Sequence, residues 1–174
     1  MTRGYEIMES NQLVYCGRCG AAYYKPVNPC KKCGQPTSLL SISQYLPGLG
    51  YSGGHPSYPV SAANANFMVT KELVLAVSND SKRQICFWMP LEEIQEVGIE
   101  SPDTQLGAAL ILGVLGGLAG GGFYLNLSCQ KDGNDFNVLI RSGMKSHKGY
   151  AMANDVCNRL NAAVRTRRAD LGLS

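Results

Sequence analysis

Two Cys-x-x-Cys pairs, Cys16-Gly-Arg-Cys19 and Cys30-Lys-Lys-Cys33, stand ten residues apart and restrict the folding of this chain more than any other feature. Such a turn sets two sulfurs on one edge of a tetrahedron, and a second turn facing it completes four ligands with no open position. The spacing therefore predicts a structural Zn2+ site made by Cys16, Cys19, Cys30 and Cys33. So short a piece cannot fold by burial alone, and metal binding is expected to supply its folding energy. A redox dithiol would need a single Cys-x-x-Cys in a βαβ setting, which is a different pattern.

The pattern resembles a short zinc ribbon, assigned to residues 11–36. The likeness implies a metal-stapled platform and leaves its purpose open. Arg18, Lys25, Lys31 and Lys32 suit contact with nucleic acid, and docking on a protein surface explains them equally well. Only Tyr23 and Tyr24 are interleaved with those bases and the net charge is just +3, so nucleic acid is the less favoured partner.

Residues 37–63 are rich in Ser, Gly, Pro and Tyr. The pairs Pro47-Gly48 and Gly53-Gly54, with Pro56 and Pro59, argue against a helix or a central strand. A linker is expected, so that replacing Cys16 or Cys30 should unfold the ribbon and spare the rest. His55, between Gly54 and Pro56, is expected in solvent.

Hydrophobic residues make up 45% of the chain and charged ones 17%, enough for a packed core. Residues 64–168 carry the patterning. Leu73, Leu75 and Val77 share a face by period 2, and Ile85, Phe87 and Met89 alternate with Cys86 and Trp88, as a central strand would. Lys131-Asp-Gly-Asn134 predicts a hairpin joining Phe123–Cys129 to Phe136, Val138 and Ile140. A helix is expected over Lys148–Arg168, with Met152, Val156, Leu160, Ala163 and Val164 on its apolar face. Cys86, Cys129 and Cys157 are expected as reduced thiols in or beside the core.

Leu106–Gly122, LGAALILGVLGGLAGGG, interrupts that domain with seventeen residues, seven of them glycine and none charged. Seventeen is short of the roughly 20 apolar residues a spanning helix needs. Gly113, Gly117 and Gly121 have the small-xxx-small spacing that lets helices approach closely. Three readings stand: a loop-helix packed in a soluble assembly, a shallow membrane segment, and a full span. The full span would place strands of one sheet on opposite sides of a bilayer.

Phe67-Met-Val-Thr70 with Leu73, then Pro90-Leu91-Glu92-Glu93-Ile94, then the helix around Leu160, resemble the pleckstrin-homology (PH)-like superfamily, particularly its GRAM-like and bacterial PH-type branches. The resemblance covers residues 64–168 and implies a strongly bent, partly open β-barrel with a C-terminal helix plugging one end. It also implies an anion or lipid site in the first long hairpin turn, at Lys82 and Arg83, to which Lys145 and Lys148 are added as candidates. Further bases along the following strand are missing, where Gln84, Ile85 and Cys86 stand.

The fold class expected is α+β: a small zinc ribbon, then a PH-like bent barrel with an amphipathic C-terminal helix and the glycine-rich insertion 106–122. The function expected is that of a non-catalytic adaptor, cytoplasmic with membrane association, docking a protein partner and binding an anionic membrane or a further protein. Two alternatives remain: a membrane-inserted homo-oligomer assembled through the glycine segment, and a nucleic-acid-binding ribbon. The start MTRGYEIMES has no apolar run of signal-peptide length. No nucleophile motif accompanies His55 or His147, so no enzyme is expected.

Overall fold

The computed structural model describes residues 12–59, 62–79, 84–100, 122–142 and 146–173. Their order is β1 (Gln12–Tyr15), β2 (Ala22–Tyr23), β3 (Ser38–Ser41), β4 (Gln44–Gly53), β5 (Ala62–Val69), β6 (Leu73–Ser78), β7 (Ile85–Pro90), a 3-10 turn (Leu91–Glu93), β8 (Ile94–Glu100), β9 (Phe123–Lys131), β10 (Asn134–Ser142) and α1 (His147–Asp170). The result is α+β, with antiparallel sheets and one C-terminal helix.

Strands β1–β3 form a small sheet in the order β2-β1-β3, and the other seven form a large one, β7-β6-β5-β4-β10-β9-β8. The large sheet does not close into a barrel: β7 and β8 are its two ends and are not paired with each other. It must nevertheless curl. Only the 3-10 turn separates Pro90 from Ile94, a span of at most about 14 Å. Seven flat strands about 4.8 Å apart would hold their outer members about 29 Å apart. The apolar interior of that curve contains Leu46, Phe67, Phe87, Met89, Leu125 and Ile140, all buried.

Residues 37–63 are not a free linker. They hold β3 and β4, and β4 is the middle strand of the large sheet, between β5 and β10. The Pro-Gly pair that argued against a central strand is absorbed by irregularity. Pairing with β5 slips between Leu46 and Leu49, where Pro47 and Gly48 lie, and slips again before Tyr51. A proline lacking its N–H is tolerated where the ladder is already broken. At the other end of β4, Gly54 has φ +101°, and a Cβ there would lie 2.0 Å from the Asn137 carbonyl oxygen. Only glycine allows the 54–59 loop to press so closely on β10.

The period-2 pattern of β6 reflects two covers. Val74 and Ala76 face the curved interior, and Leu75 and Val77 face outward with Met68 against Leu13, Ala22 and Ile42 of the small sheet. β7 is terminal, contrary to the central place its two apolar faces suggested. Phe87 and Met89 point inward, while Trp88 on the outer face is 45% exposed. The β9–β10 turn forms as expected, with Asp132 and Gly133 both at positive φ.

Helix α1 starts one residue before the predicted Lys148, at His147, because the Ser146 Oγ accepts the Gly149 N–H (3.1 Å) and caps it. Ala153, Val156, Cys157, Leu160 and Val164 bury its inner face. The helix also covers the free edge of β8. Asn161 accepts the Val97 N–H through Oδ1 (3.2 Å) and donates Nδ2–H to the Val97 carbonyl (2.9 Å), as a neighbouring strand would.

Candidate metal centre

β1 ends at Tyr15, so Cys16 begins the first turn as the strand finishes. The Cys16 N–H donates to the Ala21 carbonyl (2.9 Å) and the Gly20 N–H to the Cys16 carbonyl (2.9 Å). The second turn repeats this wiring: the Cys30 N–H donates to Gln35 (2.8 Å) and the Gly34 N–H to Cys30 (2.8 Å). Gly20 and Gly34 occupy equivalent places with φ of +68° and +72°. A side chain would be strained at both, which explains glycine after each pair.

The two turns face each other. The sulfurs of Cys16 and Cys33 are 3.5 Å apart and those of Cys19 and Cys30 are 3.6 Å apart. All four lie within 4.8 Å of one another. Sulfurs bound at about 2.3 Å around a tetrahedral ion would be separated by about 3.8 Å, so this cluster fits a single metal ion. Cys16 and Cys30 are buried, while Cys19 and Cys33 are half-buried.

Tyr23 completes the surroundings, with its hydroxyl 3.2 Å from the Cys30 sulfur. That hydrogen bond is the chief reason the Cys30 thiol is drawn down to about 6, and it raises the Tyr23 hydroxyl in return. Cys16 is lowered too, mainly by the Cys19 backbone amide. The Gln35 amide pulls Cys33 down, but burial and hydrogen bonds with Cys16, Cys19 and Cys30 outweigh it and push Cys33 up to about 12. Adjacent sulfurs therefore resist ionising together. A cation among them removes that resistance, since metal-bound cysteine is the thiolate.

The centre is bonded to the large sheet. The Ile85 N–H donates to the Gly20 carbonyl (2.8 Å), and the Gln84 side chain reaches the Cys19 carbonyl (3.4 Å). Gln84 and Tyr23 were not singled out as site residues from the sequence. Nothing in the local pattern at Gln84 signals a partner 65 residues away; Tyr23 lies within the ribbon, but its sulfur partner depends on the fold.

The other candidates are not gathered here. Lys82, Arg83, Lys145, Gly113, Gly117 and Gly121 lie outside the described residues, as does the insertion 106–122 apart from Gly122. Lys148 is exposed on the first turn of α1. Three bases of the basic C-terminal helix are engaged within the chain. Arg159 donates to the Gln44 side chain (3.2 Å) and the Tyr45 carbonyl (3.1 Å), Arg167 forks onto Glu92 (3.1 and 3.2 Å), and Arg168 reaches Gln95 (3.2 Å). Among the described residues no helix is long and apolar enough to cross a membrane.

His55 is not in solvent. It is 5% exposed, edge-on to Phe87 and Phe136, and its Nδ1 accepts the Ser57 N–H (3.1 Å). Burial lowers its pKa, and Tyr51, which receives the His55 backbone N–H, ties the same loop to Tyr58. No protein-family model matches this chain, and no curated protein matches it.

Proposed function

We propose that this chain is a non-catalytic docking protein in which a structural Zn2+ ion fixes a ribbon platform against a PH-like domain. The observation that carries the zinc assignment is the set of four mutually close sulfurs, which fills every tetrahedral position with protein and leaves none for water or substrate. Cys16, Cys19, Cys30 and Cys33 would hold the ion, and Tyr23 would orient the Cys30 sulfur through its hydroxyl. Bound there, zinc supplies folding energy and no reaction chemistry.

The PH-like reading is supported by the order of elements. Four strands in meander, β4 to β7, precede three more, β8 to β10, and the two groups join through β4 and β10 before a single C-terminal helix. The adaptor role is supported by the hydrogen bonds and shared apolar layer that seat the ribbon on the large sheet, so that it adds to one surface instead of hanging as a tethered bead. Metal analysis of freshly purified, reduced protein tests the centre: one zinc per chain is expected. Exchange for cobalt should give the intense bands of a tetrahedral thiolate complex. A zinc content well below one per chain would remove the basis of the proposal.

A further inference from the structure

Among the described residues β3 has one uncovered edge. Among the described residues it pairs with β1 alone, on one side, and its sequence Ser-Leu-Leu-Ser has no charge or proline to discourage pairing on the other. Leu39 is 56% exposed. A groove of about 380 Å³ runs between this edge and the Thr70–Leu73 turn, and Leu40 and Leu73 form its wall. On the far side of that wall a second hollow of about 350 Å³ extends to Tyr15, Tyr58 and the half-exposed Trp88.

The ribbon that carries this edge has a positive balance of charge. Residues 11–43 contain four bases, Arg18, Lys25, Lys31 and Lys32, and no Asp or Glu. Four thiolates with a divalent ion subtract two charges and leave the platform positive. The groove turn adds Lys71, and its one acid, Glu72, lies within electrostatic reach of Arg167.

We infer that the β3 edge receives an extended acidic segment of a partner protein, whose main chain continues the small sheet, whose apolar side chains on one face rest on the Leu40–Leu73 wall and whose acidic side chains on the other face lie beside Leu39. This rests on the docking role proposed above and names its surface and partner chemistry. Main-chain pairing supplies binding in such strand addition, and the flanking pockets supply selection. At about 3.3 Å per residue the edge accommodates about four or five residues.

The test uses random peptides displayed on phage, selected on the full-length zinc-loaded chain. Peptides in which Asp or Glu alternates with Leu, Ile or Val are expected. A synthetic copy of the most enriched peptide should bind Leu39→Glu at least about tenfold more weakly, since the change sets a like charge beside the acidic face of the peptide. Lys31→Glu with Lys32→Glu should weaken it by about threefold and flatten its salt dependence. Leu39→Glu should retain one zinc per chain, which separates lost binding from lost folding. Selection of basic peptides, or of none, overturns the inference. Acidic peptides that bind Leu39→Glu undiminished overturn the site and leave the docking role standing, whereas wild-type protein without zinc overturns the docking role itself. Competition by oligothymidylate for the same site would make the partner nucleic acid and overturn the inference as well.

Discussion

The two sheets of this protein are held by different means. The large sheet wraps a continuous apolar interior closed by α1, a core built from side chains alone. Leu13 and Ala22 of the small sheet, with Ile42 just past β3, share their layer with Met68, Leu75 and Val77 of the large sheet, and the other buried cluster of this module, Cys16, Ala21 and Cys30, consists mostly of the cysteines themselves. Below a certain size burial cannot overcome chain entropy, and a metal substitutes for missing core. The contrast also shows the direction of dependence. On the proposed zinc assignment the small sheet depends on the metal, while the large sheet uses the small one as a lid over one outer patch.

The strongest way to break that contrast is to remove the metal. A structural zinc site contributes on the order of 10 kcal/mol of apparent folding energy, so Cys30→Ser or chelation should unfold β1–β3. The expectation that the large sheet would be unaffected does not survive the geometry. Met68, Leu75 and Val77 are each 0% exposed and would lose their cover. Burial of such side chains is worth about 1.5–3 kcal/mol each, so the melting temperature of the remaining sheet should fall by several degrees and its binding of a hydrophobic dye should rise. An unchanged transition in the large sheet after zinc release would mean that the shared layer carries no energy.

The converse experiment acts on the interior. Leu160 is fully buried on α1. Leu160→Ala should cost about 2–5 kcal/mol through lost burial and a residual cavity, with zinc content still one per chain in the folded protein. Calorimetry and metal analysis on the same sample check both halves. Loss of zinc in the folded variant would mean that the two sheets are not separable in this way.

What was legible in the sequence follows the same division. The four-cysteine cluster was legible because cysteines at this fixed spacing admit few geometries, and the β9–β10 turn and α1 were legible because Asp132-Gly133 and the stripe around Leu160 are local signals. β4 was not legible, because Pro47 and Gly48 are punctuation in a regular strand and tolerated in a ladder that slips at that point. His55 and Gln84 were missed for a related reason: their partners Phe136 and Cys19 are distant in the chain, and only the fold brings them near. The partly open barrel was expected only from the resemblance, since whether β7 meets β8 is not set by the pattern within either strand, and the sheet does not close.

A smaller effect tests how the large sheet protects its ends. The β8 edge is answered by Asn161, and Val97 is almost fully buried, so Asn161→Leu would leave the N–H of Val97 without its partner, while its carbonyl keeps the Cys157 thiol as a donor (3.2 Å). A buried backbone group left unsatisfied costs about 1–3 kcal/mol. The variant should melt several degrees lower, with faster amide exchange at Val97. Exchange at Val97 equal to wild type would show that the helix side chain is not its effective partner.

The smallest expected effect concerns pH, and it separates the ends of the large sheet from the metal centre. Glu92, in the 3-10 turn, accepts a forked hydrogen bond from Arg167, and that bond is the main cause holding its carboxyl below the ordinary range. A carboxylate whose pKa is depressed in the folded state contributes stability above its unfolded pKa, and the contribution is lost as pH falls through the folded value. With an unfolded value of about 4.3, the contribution should be complete near neutral pH and disappear below it. Glu92→Gln should therefore melt slightly lower than wild type at pH 7, and the gap should close progressively once pH drops below about 4. Salt should narrow it at neutral pH, since both side chains are partly solvated. Acid also protonates the cysteine ligands and releases metal, so the comparison is made between variant and wild type at each pH, where the ribbon's contribution cancels. A gap that stays constant down to pH 3 would mean that the Arg167 bond to Glu92 does not depend on the carboxylate charge.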